Sequence, residues 1–228
     1  MDTHTIVVRC QTGKLMRSPE KEVHVQKTIA FHLGQSHQGF ASGELDKNLI
    51  ENMDETHFVV NVDNGRTLGV RGDNGMKYAD IVPGGEGMTM IVRIMGGPSA
   101  LIQALMMLFT NINRSYLIMQ VPDNIPGVCY RLGPKGWNDK TVFPLWFSEP
   151  CAYQSDPYGR EKVMFLDKCG GHNDSDELIA SLYATKTHIK YFPPCATDKG
   201  QPTDSFVISK IKDAWKAWWD LKKMEMIR

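Results

Sequence analysis

The run Val163-Met164-Phe165-Leu166 closes on Asp167, and a carboxylate at the end of so apolar a stretch narrows what the chain can become. Four consecutive apolar residues read as a buried strand. An acid at its tip is costly to bury alone, so it calls for a cation, a metal or solvent at that end of the strand. A second segment, Tyr191-Phe192-Pro193-Pro194-Cys195-Ala196-Thr197, leads to Gln201-Pro202-Thr203-Asp204. It reads as a strand, a proline-broken turn and another carboxylate at the mouth of a helix. Upstream, Asn52-Met53-Asp54-Glu55-Thr56 sets a third acid behind the short apolar step Leu49-Ile50. Three carboxylates from distant parts of the chain can thus converge at one end of a sheet, as a two-metal phosphoryl-transfer site requires.

The 228 residues suffice for one medium domain with a full core, and 42% hydrophobic with 23% charged residues is an ordinary globular composition. Lysine plus arginine equals aspartate plus glutamate at 26 each, so DNA contact would have to come from local basic patches rather than a global field. The cysteines, Cys10, Cys129, Cys151, Cys169 and Cys195, are odd in number and never spaced Cys-x-x-Cys, which argues against a disulfide scaffold or a zinc ribbon and for a reducing intracellular compartment. No signal-peptide core opens the chain. The longest apolar run, Ala100 to Thr110, is interrupted by Gln103 and too short to span a bilayer, so no membrane partner is expected.

Residues 1–44 read as a polar lead-in with one short helix after Val25, broken by Gly34, Gly39 and Gly43. From Leu49 the pattern turns strand-like: Leu49 to Asp54, then Phe58, Val60 and Val62 in alternation, with Asp63-Asn64-Gly65 signalling a hairpin into Thr67-Leu68-Gly69-Val70. Met88 to Met95 and Leu101 to Phe109 are buried-strand candidates, the latter also compatible with a helix face. Asn111 to Asn138, dense in proline and glycine, reads as loop. Then follow a strand from Val163 to Asp167, a helix from Asp174 to Tyr183 and a strand from His188 to Phe192, an alternation that suits an α/β layer. In the last segment Ile208, Ile211, Trp215 and Trp218 mark one face of an amphipathic helix.

Asn-Met-Asp-Glu-Thr, the Asp-x-Cys-x-Gly-His that follows a hydrophobic strand, and Pro-Pro-x-x-Thr with Gln-Pro-x-Asp resemble, in order, the three motif blocks of the DDE superfamily endonuclease domain. This is the catalytic domain of pogo-type transposases in the mariner superfamily, related to centromere protein B-like and jerky-like domesticated proteins. The resemblance covers roughly residues 45 to 225. It implies a ribonuclease-H-like α/β fold over 45–228, with a central mixed five-stranded sheet flanked by helices and a helix packed on the sheet near Val142 to Phe147. It also implies two Mg2+ or Mn2+ ions held by Asp54, Asp167 and Asp204 as the catalytic acids, with His172 and Gln201 in support. DNA is then the partner, with a homo-oligomer in prospect and the nucleus as the place of action. The lead-in does not match the family's N-terminal pair of helix-turn-helix modules, so sequence-specific DNA recognition is expected to be lost.

Each assignment has a plainer rival. Asp204 can be a helix N-cap, with Thr203 competing for that role. Asp63 rivals Asp54 but sits where a hairpin turn demands such a residue. His172 can simply pack in a strand-to-helix turn, and Glu55, one residue from Asp54, points to the other face of a strand and reads as structural. Gly84-Gly85-Glu86-Gly87 lacks the lysine and following helix of a phosphate loop, so no nucleotide cofactor is expected. Trp215, Trp218 and Trp219 at helical spacing are core rather than base-stacking residues. Lys210, Lys212 and Lys216 can contact phosphates or form a solvated helix face. Where the family has asparagine after its second aspartate this chain has Lys168, whose ammonium would compete with metals unless it points away. Asp198-Lys199-Gly200 replaces a hydrophobic residue before Gln201, which predicts looser docking of the last helix. Two functional readings stay open: a metal-dependent DNA strand-cleaving and strand-transferring domain, and a catalytically inactive domesticated domain acting as a nucleic-acid-associated or protein-interaction module.

Overall fold

The computed structural model describes residues 6–12, 18–59, 66–70, 76–77, 87–98, 100–111, 123–168, 175–194 and 196–227. Its longest strands, β2 (Ile50–Val59) and the later β5 (Gly87–Met95), pair antiparallel from Glu51↔Met95 to Val59↔Gly87. Around them β6 (Leu105–Thr110), β7 (Val128–Gly133), β8 (Lys162–Leu166) and β9 (Thr187–Tyr191) complete a six-stranded sheet ordered β7-β6-β5-β2-β8-β9. β5 and β6 pair antiparallel, whereas β2 with β8, β8 with β9 and β6 with β7 run parallel. The five strands β6-β5-β2-β8-β9 have the ribonuclease-H-like order, and β7 extends the sheet to six. The loop expected from Asn111 to Asn138 therefore contains a strand. Val128, Tyr130 and Leu132 alternate with buried Cys129 and Arg131, a period-two pattern that the flanking Pro126-Gly127 and Gly133-Pro134 steps obscure.

A small second sheet joins β1 (Ile6–Thr12) to β3 (Arg66–Val70), antiparallel, and to β4 (Met76–Lys77), parallel. The expected β2–β3 hairpin is not what forms. β3 pairs with β1 instead, while β5 pairs β2 from Glu51 to Val59 and β8 reaches it only at Ile50 to Asn52; the Asp63-Asn64-Gly65 step lies outside the described residues.

The lead-in helix also departs from expectation. α1 (Pro19–Ser42) runs unbroken through Gly34 and Gly39 and stops at Gly43, whose φ of 80° is left-handed. A mid-helix glycine costs about 1 kcal/mol against alanine, which a long hydrogen-bonded ladder absorbs. At Gly39 the missing side chain has a use, since a Cβ there would lie 2.9 Å from Leu45 Cδ1. α1 packs His32 against the rings of Phe165 and Phe192, above a cluster with Leu45, Ile50 and Val163.

On one face of the sheet, α2 (Val142–Trp146) and α3 (Asp176–Thr185) cover Met53, Ile91, Met106, Leu108, Met164 and Leu166. The Ser175 side chain caps α3 by accepting from the Leu178 amide at 3.2 Å. On the other face a π-helical stretch, Thr203–Ile208, continues into α5 (Ser209–Ile227). Ile208, Ile211 and Trp215 pack there on Phe58, Met90 and Val92, but Trp218, expected on the same face, is 52% exposed because the helix has by then left the sheet. One charged group crosses the core: Glu51 of β2 is buried between Arg93 at 2.6 Å and Lys162 at 3.0 Å, both cations lying over the Tyr153 ring.

Candidate metal centre

The site is assembled by register. β2 and β8 run parallel with Asn52 opposite Phe165, so the residues two further along each strand, Asp54 and Asp167, come out side by side where β8 ends. Ligand oxygens of Asp54, Glu55 and Asp167 all lie within 4.8 Å of one another. Asp54 is buried, and the other two are half-buried. Burial raises the Asp54 carboxyl most, the Glu55 carboxylate raises it further, and Asp167 and Asp204 add to this; the Glu55 amide, donating to Asp54 Oδ1 at 2.9 Å, opposes them. The net result pushes Asp54 from 3.8 up to about 7. Like charges gathered in a partly dry site favour either a proton or a cation.

Glu55 corrects the expectation of a structural residue on the far face. β8 stops at Leu166, so on that edge of β2 no strand lies beside Glu55, and its carboxylate reaches round to the cluster. Asn138, from the loop between β7 and α2, holds Glu55 Oε1 through its amide. Nothing in the strand periodicity marks Asn138, which is 83 residues away.

Asp204 sits half-buried at the start of the π-helical stretch, close enough for its charge to act on Asp54 but outside the 4.8 Å trio. It is not the helix cap, since Pro202 holds that position without a side-chain bond. Thr203 does not cap either, because its hydroxyl is given to Asn52. Gln201 is fully buried and donates its amide to the Met53 carbonyl at 3.0 Å. In the turn before it, α4 (Thr197–Gly200) carries Lys199 into an ion pair with Glu22 of α1. Lys168 is exposed, its ammonium 5.5 Å from the centre of the Tyr191 ring. Lys210, Lys212 and Lys216 are exposed on α5. His172 lies outside the described residues.

A six-stranded mixed sheet flanked by helices, with acids gathered where β8 ends beside β2, is the frame of a ribonuclease-H-like nuclease domain. The chain belongs to the DDE superfamily endonucleases, whose family model matches residues 107–228, more than half of it. Asp167 and Asp204 fall inside the matched span and Asp54 precedes it. Among solved structures, the Mos1 transposase paired-end complex with left transposon end aligns at a TM-score of 0.48 and 9% identity over 90% of this chain and 53% of that one. The Mos1 strand transfer complex aligns at 0.45 and 12% identity over 89% and 50%. The Mos1 mariner paired-end complex with Mn aligns at 0.42 and 11% identity over 93% and 57%. The chain thus spans about half the length of the solved chains it matches. No curated protein sequence matches it.

Proposed function

We propose that this domain cleaves and transfers DNA strands with two Mg2+ or Mn2+ ions held by Asp54, Asp167 and Asp204, Glu55 standing as a fourth carboxylate. The observation that carries the reading is the convergence of the Asp54, Glu55 and Asp167 oxygens within 4.8 Å. The donor set suits hard divalent cations, which take oxygen ligands and little else. When bound, such ions activate a water or hydroxyl nucleophile and stabilise the departing oxygen. The protein's own part is positional. Asp167 is offered from the end of β8 and Asp54 from the middle of the adjacent β2, Asp204 from a helix start on the same side as Asp54, and Asn138 keeps Glu55 turned toward them. Exposed Lys210, Lys212 and Lys216 on the helix that follows Asp204 are suited to phosphate contacts.

The alternative of an inactive module drew on Lys168 as a competitor for the carboxylates. That lysine lies over the Tyr191 ring, so its position lends the alternative no support. Calorimetric titration with Mn2+ and nicking of supercoiled DNA test the proposal together. Wild type should bind the ion and nick DNA, and Asp167→Ala should lose both. Binding and nicking that survive Asp167→Ala would remove these acids from the account.

A further inference from the structure

We infer that Asn52 is a positioning residue that fixes the three acid-bearing elements against one another, an inference that rests on reading those acids as metal ligands. Its amide nitrogen donates to the Phe165 carbonyl of β8 at 2.8 Å. Its side-chain oxygen accepts from the Thr203 amide at 2.8 Å and from the Thr203 hydroxyl, which also reaches the Asn52 carbonyl at 3.3 Å. Each residue in this lock stands just ahead of an acid: Asn52 two before Asp54, Phe165 two before Asp167, Thr203 one before Asp204. All three are buried, at 6%, 8% and 0% exposure.

One side chain therefore joins β2, β8 and the start of the last helix about 7 Å beneath the carboxylates, the span of two strand residues. Apolar packing around it is non-directional and tolerates sliding. Hydrogen bonds from a single planar amide to two other elements do not, and metal geometry demands placement to about half an ångström. Gln201, tying the same helix entry to the Met53 carbonyl, adds a second strap between β2 and the Asp204 segment. An amide with both ends committed to distant backbone is a costly way to fill a core position, and placement of the acids is the use the structure shows for it.

The test follows two readouts in wild type, Asn52→Leu, Thr203→Val and Thr203→Ser. The first is hydrogen exchange at the Thr203 amide without metal, and the second is Mn2+ affinity by calorimetry. In Asn52→Leu exchange should quicken about tenfold, the scale of one lost hydrogen bond. Mn2+ affinity should fall about 10–100-fold, as when a group that orients metal ligands is removed. Thr203→Val should fall in the same direction by less, and Thr203→Ser, which keeps the hydroxyl, should retain the affinity. If Asn52→Leu does not fold, the Val and Ser pair decides alone. Quickened exchange with unchanged affinity would make the bond merely structural and overturn the inference, as would lost affinity with unchanged exchange. A wild type that binds no Mn2+ would instead defeat the metal-site reading, and the exchange data would then decide the lock by themselves.

Discussion

Replacing Asp54 by asparagine should stabilise the metal-free protein while abolishing its metal binding. Asp54 is pushed up to about 7 from 3.8 by burial and by Glu55, Asp167 and Asp204. Between those values the folded state holds a proton that the unfolded chain has released. Folding stability therefore falls as pH rises from about 4 to about 7 and levels off above. Each pKa unit is worth about 1.4 kcal/mol, so the ceiling on this penalty at pH 8 is ~4 kcal/mol. Asparagine removes the charge and keeps an oxygen for the Glu55 amide, and its NH2 can donate to the neighbouring carboxylates. Urea denaturation of wild type and Asp54→Asn without metal should then show a difference near zero at pH 4, growing to about 2–4 kcal/mol in favour of the variant at pH 8. Adding Mn2+ at a hundred times its dissociation constant should restore about 2.7 kcal/mol to wild type and nothing to the variant. A variant that is less stable than wild type at pH 8, or a difference independent of pH, would refute the argument that burial and the neighbouring acids raise Asp54 in the folded state.

Other substitutions separate site chemistry from scaffold. Lys168→Asn should change Mn2+ affinity by no more than about fivefold in calorimetry, the scale of an exposed charge, because the ammonium lies toward Tyr191. Glu51→Ala should cost about 3–5 kcal/mol in chemical denaturation, since it leaves Arg93 and Lys162 buried without their counter-charge. Ser175→Ala should cost about 1 kcal/mol by the same measurement, through loss of the α3 cap, and leave Mn2+ binding unchanged.

The parts of the fold that could be read from the chain are those where one local signal dominated. Val163 to Leu166 is apolar without alternation and is a central strand; the helix read from Asp174 to Tyr183 forms as α3, Asp176–Thr185. The misreadings came where local and tertiary signals competed. Asp63-Asn64-Gly65 carries hairpin chemistry, but the strand that follows, β3, pairs with β1, a distant partner that a local turn signal does not reveal. Gly34 and Gly39 weaken a helix locally, yet α1 is held by Phe165, Phe192 and the close approach of Leu45. In β7 the alternation was present but carried by Arg131, a buried cation whose partners Asp123 and Glu149 lie outside the strand.

For the site, the acids were legible and their surroundings were not. A carboxylate at the end of an apolar strand has few inexpensive environments, so Asp167 announces itself from its neighbours alone. Asn52 carries no such signal. Its partners are 113 and 151 residues away, and a polar residue in a strand has many ordinary uses. Glu55 misled for the converse reason: strand periodicity assigns it to the far face, and only the end of β8 at Leu166 lets both faces meet. Each acid on β2 is thus defined by what stops or starts beside it. Lengthening β8 by a pair of residues would cover the edge that Glu55 uses, and a shift of Thr203 would move Asp204 and break its bonds to Asn52 of β2. The site is set where β8 ends and the last helix begins beside the middle of β2, and the hydrogen bonds of Asn52 tie both of those points to β2.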